Sequence, residues 1–439
     1  MTKKKVGVIS LGCDKNRVDT EKLLSILKRK HEITNDINEA QIIIVNTCAF
    51  LASSREEAVS EIFSANELKR NGKLEKLIVT GCMPQKFASE MFDEMPEADA
   101  MLGVSDYESI NEIIDELYNN PCKRVNAVGK PRGECSTDRV LTTDGYAYLK
   151  IADGCSNHCT YCLIPKIRGE YRSVPKNDLV EETKKLGNVE ELILVAQDVT
   201  AYGKDLEPRS SLPDLIRTLS ALDNVQGIRL LYCYPEGITD ELIRELQGNA
   251  KMIRYLDIPL QHSSDRILKL MNRKGRGQDY LALIERIKRE VNGIAIRSTF
   301  ITGFPTETEE DFNDLVEFLK KAELFNAGFF AYSREEDTPA YKLDGQIKRG
   351  VKTKRLKKLY AEQKKIVRKN LKGLVGSIFG VMCEGFDENV LAYYGRAYFN
   401  APDVDGKIYF FSDTPVAPSE RVNVKILKAT GYDLYGERV

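Results

Sequence analysis

The sequence predicts a multidomain α/β protein with an N-terminal parallel α/β sheet domain, a central partial (β/α) barrel and a C-terminal small antiparallel β-barrel. Three observations predict it. Short β-branched runs alternate with amphipathic helical patterns through most of the chain, as in βαβ units. A polar stretch rich in Gly and Pro interrupts that alternation once. Beyond residue 373 the texture changes to short apolar runs separated by turn residues, which suits a small closed sheet. At 439 residues the chain is also too long for a single core.

In the first domain, read as residues 1–120, the apolar runs at 6–11, 42–45 and 77–79 are strands, and each is followed by a cysteine. The three segments are LGC with Cys13, NTC with Cys48 and TGC with Cys82. Carboxyl ends of parallel strands share one edge, where open α/β sheets bind ligands. Three thiols more than thirty residues apart are therefore expected to converge. The competing reading makes each a buried small hydrophobe, a common fate for free cysteine; the same strand-end position occurring three times speaks against it. Asn16, Asp19 and Glu21 are expected to support the first loop by capping a helix that opens near Asp19.

A linker is expected over 121–140, where Pro121, Gly129, Pro131 and Gly133 cluster. Cys122 and Cys135 within it have no metal-like spacing and receive no function. The central domain, read as 141–370, holds six strand-like runs, among them AYLKIADGC, ELILVAQDVTAYG and IRSTFITGFP. The first feeds GCSNHCTYC, in which Cys155, Cys159 and Cys162 stand at a CxxxCxxC spacing. Structural zinc and ordinary iron–sulfur sites take four protein ligands. With three, one iron of a cluster is left to bind a small molecule. The alternative is a zinc knuckle completed by His158, or a free-thiol loop, but His158 lies between two of the cysteines and could not easily share their metal.

The reactive face of such a barrel is the carboxyl end of its strands. The polar residues assigned there are Gln197 and Asp198, Gln261 and His262, and Arg297 with the turn at 303–305. Each is equally readable as a helix cap, and His262 as a structural hydrogen-bonding residue. Cys233 reads as core. No Ser/His/Asp or Cys/His hydrolytic set is apparent, and the chain has three histidines, so no acid or base is assigned and a cofactor is expected to supply the hard step.

Residues 348–372 carry twelve Lys/Arg against one acid, Glu362. This is a solvated helix face, or a contact to RNA phosphates. The last domain, 373–439, reads as the small barrel. From 374 onward it has six Lys/Arg and nine Asp/Glu, a net charge of −3, which repels RNA and favours a basic protein partner. Over the whole chain 65 Lys/Arg balance 66 Asp/Glu, which excludes a globally basic nucleic-acid binder. The opening MTKKKVGVISLGC has too short an apolar run for a signal peptide. No later run approaches the ~18 apolar residues of a membrane span. A soluble, cytoplasmic monomer is expected, with its ten cysteines serving as thiolate ligands rather than disulfides.

The motifs carry a resemblance. CxxxCxxC followed by Arg168 and Gly169 resembles the cluster-binding loop of radical S-adenosylmethionine enzymes. LGCDKNRVDTE, NTCAF and TGCMPQ resemble the N-terminal domain of methylthiotransferases, and the last domain resembles their TRAM module, an OB-like barrel. Within that family GCDKN, PLQHSSDRIL, YPEGITDELI, GRAYFNAPDVDG and GYDLYGE are similar to the branch that modifies an aspartate of small-subunit ribosomal protein twelve.

The resemblance implies two [4Fe–4S] clusters. Cys155, Cys159 and Cys162 would hold the radical cluster, and Cys13, Cys48 and Cys82 the auxiliary one. Gln197, Gln261 and Arg297 would lie near S-adenosylmethionine. The Gly-Gly-Glu type motif frequent after the second strand is replaced by AQDVTAYG, which leaves backbone groups as candidates for contacts to the methionine part. The implied reaction methylthiolates an aspartate β-carbon with two molecules of S-adenosylmethionine, one as methyl donor and one as radical source, using sulfur held at the auxiliary cluster. An electron donor such as flavodoxin or ferredoxin is implied as a partner. A transfer-RNA adenosine methylthiotransferase and a non-catalytic iron–sulfur carrier are the other readings. The acidic last domain weighs against the first and the barrel around the loop against the second.

Overall fold

The computed structural model describes residues 3–131 and 136–439, so Cys135 and Gly133 lie outside the described residues. The chain divides into two units. The first comprises Met1–Thr142, Tyr148–His158 and Cys162–Leu186; the second comprises Thr143–Ala147, Cys159–Tyr161 and Gly187–Val439.

The first unit begins with β1 (Lys5–Ser10), α1 (Asp14–Lys28), β2 (Glu32–Ile33), β3 (Ile42–Thr47), α2 (Ala52–Arg70), β4 (Lys76–Gly81), α3 (Cys82–Glu94), β5 (Ala100–Leu102), α4 (Ile110–Asn119) and β6 (Val125–Ala127). These strands form one parallel sheet in the order β2-β1-β3-β4-β5-β6. Every residue of β3 and β4 is buried, because helices cover both faces. Ile42 and Ile44 pack with Leu23, Leu27, Ile110 and Ile114 on one side. Ile43 and Val45 pack with Ala58, Ile62 and Met91 on the other. The edge strand β6 comes from the stretch 121–140, so the sheet continues past the predicted end of the domain.

Helix α1 opens at Asp14, not near Asp19, with Cys13 at its N-cap position in extended backbone. Asp14 in the first turn suits the positive end of the helix dipole. Asn16, Asp19 and Glu21 therefore lie inside the helix, buried, and cap nothing. The unit is completed by most of β7 (Tyr146–Lys150), by β8 (Ala152–Asp153), α5 (Ile164–Arg168), β9 (Arg172–Ser173) and α6 (Lys176–Lys185).

The second unit holds β10 (Glu191–Val195), α7 (Leu212–Ser220), β11 (Ile228–Leu230), α8 (Asp240–Gly248), β12 (Met252–Asp257), α9 (Asp265–Leu270), α10 (Gly277–Glu290), β13 (Ala295–Thr302), α11 (Glu309–Ala322), β14 (Asn326–Ala331) and α12 (Arg349–Lys372). Its sheet runs β14-β13-β12-β11-β10 and continues to β7, whose Tyr146 and Ala147 belong to this unit. Neighbours from β10 to β14 are parallel and the sheet stays open, which makes it the partial barrel that the strand and helix alternation predicts.

Helix α12 buries Arg355, Leu359, Gln363, Ile366, Val367 and Leu371 at the three- and four-residue spacing of one helix face. Lys354, Lys357, Lys364, Lys365 and Arg368 stay exposed, so most of the basic run is a solvated face. Arg355 is the exception. It donates to the Glu307 carboxylate at 3.0 Å and to the Glu309 carboxylate at 2.6 Å.

The last five strands are β15 (Ile378–Asp387), β16 (Ala392–Arg396), β17 (Ile408–Phe411), β18 (Arg421–Thr430) and β19 (Asp433–Arg438), closed in the order β15-β16-β17-β19-β18. All pairs are antiparallel except β17 with β19. A closed ring of five strands cannot alternate direction throughout, so one parallel pair is obligatory.

Two polar anchors join this barrel to the sheet of the same unit. Glu191 accepts from Arg396 Nη1 at 3.0 Å and from Arg229 Nε. Burial alone would raise the Glu191 carboxyl, yet Arg229 and Arg396 hold it below its ordinary value. Asp405 accepts from the Tyr255 hydroxyl at 2.7 Å and the Asn326 amide at 2.8 Å, and lies 3.5 Å from Arg297 Nε.

Candidate functional site

In the first unit the three strand-end cysteines meet at the carboxyl edge of the sheet. Cys13 precedes α1, Cys48 follows β3 directly and Cys82 is the first residue of α3. Two glycines allow the approach. Gly12 has φ +92°, and a methyl group there would stand 2.7 Å from Cys48 Cβ. Gly81 has φ +98°, and a methyl there would stand 2.6 Å from the Thr47 carbonyl oxygen. Any side chain at either position would force the strand ends apart, and the left-handed backbone itself favours glycine.

Asn16 ties the edge together. Its amide donates to the carbonyls of Leu11 and Thr47, both at 3.0 Å, and so joins the ends of β1 and β3. Burial raises the Cys48 thiol above its ordinary value, and the charge of Cys13 adds to the rise. Burial pushes the Cys82 thiol up to about 12; Arg168 opposes the rise while Cys13 and Cys48 add to it. The mutual influence of the three thiols places them in one electrostatic neighbourhood.

Arg168, at the end of α5, is 2% exposed and is the cation of this neighbourhood. Its Nη2 donates to Asn16 Oδ1 at 2.6 Å and Asp19 Oδ2 at 2.9 Å, and lies 3.6 Å from Cys82 Sγ. Its Nη1 donates to Asp153 Oδ2 at 3.1 Å. Lys150 Nζ bridges Asp19 and Asp153, so two buried carboxylates balance two buried cations. Two residues further along α1, Glu21 pairs with Arg139, which also donates to Glu182 at 2.8 Å.

The donor set fits an iron–sulfur cluster. It offers three thiols beside a guanidinium that offsets thiolate charge, and coordination to a metal deprotonates a thiol whatever burial does to its free value. Among the described residues no three His, Cys, Asp or Glu side chains close around a point as they would around one metal ion. A cubane spreads its three thiolates over separate irons, wider than one zinc ion holds them.

The CxxxCxxC loop supplies Cys155 and Cys162 to the first unit and Cys159 to the second. In the first unit, Gly154 with φ +76° lets the Cys155 N–H reach the Gly169 carbonyl at 3.1 Å, and Cys162 Sγ accepts from the Ile164 N–H at 3.4 Å. In the second, Cys159 Sγ lies 3.5 Å from the Tyr234 hydroxyl. Thr160 fixes that end through its N–H to the Met271 carbonyl at 3.1 Å and its hydroxyl to the Leu270 carbonyl at 2.8 Å. Arg273 stacks its guanidinium 3.7 Å from the Tyr234 ring centre and donates to the Pro259 carbonyl at 2.8 Å.

Of the residues assigned to S-adenosylmethionine, Gln197 follows the end of β10 by two residues, and Gln261 lies just past β12 with φ +72°, bridged to Phe300. Arg297 is the third residue of β13, far from its carboxyl end, and pairs with Asp257 at 3.1 Å. His262 is fully buried and accepts from the Ser264 N–H through Nδ1 at 2.9 Å. Burial holds it down to about 3, so it is a neutral structural residue. Cys233 is buried core, Cys122 is exposed, and Asp198 caps the turn at Val199–Ala201 through the Thr200 N–H. The sequence analysis missed the pairing of Arg168 with Asn16, Asp19 and Cys82, and the contact of Tyr234 with Cys159. The available signal was the placing of Asn16 and Asp19 three and six residues after Cys13.

Three family models match the chain: an uncharacterized protein family (UPF0004) over residues 5–103, the radical SAM superfamily over 149–319 and the TRAM domain over 375–439. The ribosomal protein uS12 methylthiotransferase RimO of Acetivibrio thermocellus is 46% identical over 99% of this chain and 98% of its own. The protein of the same name from Lachnoclostridium phytofermentans is 46% identical over 98% of this chain and 99% of its own.

The chain belongs to the uS12 methylthiotransferase family. As a radical S-adenosylmethionine methylthiotransferase it is a transferase whose cofactors are S-adenosylmethionine and [4Fe–4S] clusters, two in this family. Among solved structures, a radical S-adenosylmethionine methyltransferase, TsrM from Kitasatospora setae, aligns with a TM-score of 0.55 over 77% of each chain at 15% identity. The cobalamin-dependent radical enzyme OxsB aligns with a TM-score of 0.52 over 84% of this chain and 56% of its own at 14% identity. At those identities the likeness is one of fold. No helix among the described residues is long and apolar enough to cross a membrane.

Proposed function

We propose that this methylthiotransferase acts on an aspartate of small-subunit ribosomal protein twelve and places a methylthio group on its β-carbon. The observation that carries the reading is the convergence of Cys13, Cys48 and Cys82 beside Arg168, in a chain whose near relatives bear the name of that activity. Cys155, Cys159 and Cys162 hold the radical cluster, and Cys13, Cys48 and Cys82 hold the auxiliary one. When bound, these groups and two molecules of S-adenosylmethionine supply the radical and the methylated sulfur.

The protein's own work is placement. Asn16 and the two glycines hold the strand ends at the spacing the three thiolates need, and Arg168 offsets the charge that builds up at Cys82. Gln197 and Gln261 stand past the carboxyl ends of their strands, where contacts to S-adenosylmethionine belong. Arg297, engaged by Asp257 and Asp405, acts there through Asp257. The net charge of −3 on the last domain suits a basic protein substrate, and the exposed lysines of α12 suit ribosomal RNA phosphates. Flavodoxin or ferredoxin supplies the electron, and the protein works as a cytoplasmic monomer.

The Cys48→Ala variant separates the two cysteine sets. Incubated with S-adenosylmethionine, a reductant and the ribosomal substrate, it should still release deoxyadenosine while mass spectrometry finds no methylthio group on the target. A variant that methylthiolates at the native rate would sink the auxiliary-site assignment.

A further inference from the structure

At the amino ends of β10 to β13, opposite the edge where Gln197 and Gln261 stand, the second unit has a half-open cavity of about 370 Å³. Its lining includes Arg229, Lys251, Arg254, Arg396 and Arg421, with Glu191 as the one acid, and Tyr398 forms part of the wall. That volume falls within the range of small-molecule pockets.

Two of these cations are built in rather than scattered over a surface. The side chains of Arg229 and Arg396 are 0% and 3% exposed. Arg229 spends Nε on Glu191 and Nη1 on the Tyr398 carbonyl. Arg396 spends Nε on Glu384 and Nη1 on Glu191 and the Asn400 carbonyl. In both, Nη2 is buried and has no hydrogen-bond partner in the protein. Leaving a buried donor unmet is costly; Arg229 and Arg396 set positive charge behind the wall, while Arg254 and Arg421 are exposed and Lys251 is half-buried, so these three meet an anion directly.

We propose that this cavity binds a small phosphate-bearing molecule, a free diphosphate or the diphosphate of a nucleotide. Glu191 pairs with Arg229 and Arg396, Glu384 with Arg396 and Glu190 with Arg421; five cations against these three carboxylates leave two positive charges in excess, which suits an anion with more than one charge. Tyr398 places an aromatic residue in the wall, beside which a base or similar group would lie next to the phosphate. The net negative barrel that forms one side disfavours a long polyanion such as RNA. Because Arg396 and Tyr398 come from the barrel and Arg229 and Lys251 from the sheet side, the ligand would also fasten the two together.

The test is calorimetric titration of the full chain with inorganic pyrophosphate, with ADP and with a single-stranded RNA oligonucleotide, repeated on Lys251→Gln/Arg254→Gln. Both altered side chains line the cavity, and neither belongs to the anchoring pairs, so the variant should fold; its thermal unfolding checks this. Expected are saturable binding of pyrophosphate or ADP at one site per chain, a decline in affinity with added salt and at least about tenfold weaker binding in the variant. The proposal is overturned by an absence of saturable binding, by affinity unchanged in the folded variant, or by variant-sensitive binding of the RNA alone.

Discussion

Arg168 is a residue on which two motifs depend. It follows the CxxxCxxC loop in sequence, yet its guanidinium is held by Asn16, Asp19 and Asp153 and lies beside Cys82. Arg168→Met would remove one of the two cations, Arg168 and Lys150, that balance the Asp19 and Asp153 carboxylates in a water-poor interior. Removing one partner of such a buried network costs about 3–5 kcal/mol, which urea unfolding of the metal-free protein would show. A loss below about 1 kcal/mol, the range of a surface pair, would mean that the network contributes little.

His262 supplies a pH dependence. Burial depresses its folded value to about 3, whereas an unfolded histidine titrates near 6.5. Above about 6.5 neither state is charged and nothing is lost. As the pH falls below that, the unfolded chain takes up the proton and the folded chain does not, so stability declines by about 1.4 kcal/mol per pH unit until the folded value is reached. His262→Gln should therefore show a shallower slope of unfolding free energy between pH 6 and 4. Equal slopes would show that His262 titrates normally in the folded protein.

At the scale of the element, the junction of β4 and α3 is the most constrained. Gly81 has a left-handed backbone and sits against Thr47, which positions Cys82 as the first residue of its helix. Gly81→Ala should cost about 1–3 kcal/mol in strain and displace Cys82 from its two partners. The expected readout is iron and sulfide content falling toward one cluster per chain, while the loop at Cys155 keeps its own. Two full clusters per chain in that variant would remove the argument. Elements also mark the limits of pattern reading. The strands at β1, β3 and β4 were legible from their β-branched runs. Strand β6 was hidden in a stretch whose Pro and Gly residues read as a linker, because three residues of an edge strand carry no periodicity. The start of α1 was misplaced because Cys13 is an uncommon N-cap and gives no signal that propensity recognises.

For the whole molecule, the C-terminal barrel is joined to the sheet of its unit by buried polar anchors, so single changes there act over long sequence distances. Asp405→Ala removes the acceptor of Tyr255 and Asn326 and one partner of Arg297. Cleavage by a protease between α12 and β15 should then rise several-fold over the native chain, with the barrel released intact. An unchanged cleavage rate would show that the Glu191 anchor suffices alone. The amino-acid sequence by itself determined the fold class, the strand-end positions of Cys13, Cys48 and Cys82, the CxxxCxxC spacing and the net charge of the last domain, because these depend on local periodicity, motif spacing and composition. Only the tertiary structure decided that Arg168 is the cation at Cys82, that Asn16 and Asp19 are its buried partners rather than caps, that Arg297 is bound by Asp257 and Asp405, and that Arg229 and Arg396 come together at a cavity. The pairings among these join residues up to 152 positions apart. No short-range pattern encodes them; they exist once burial removes water as the alternative partner.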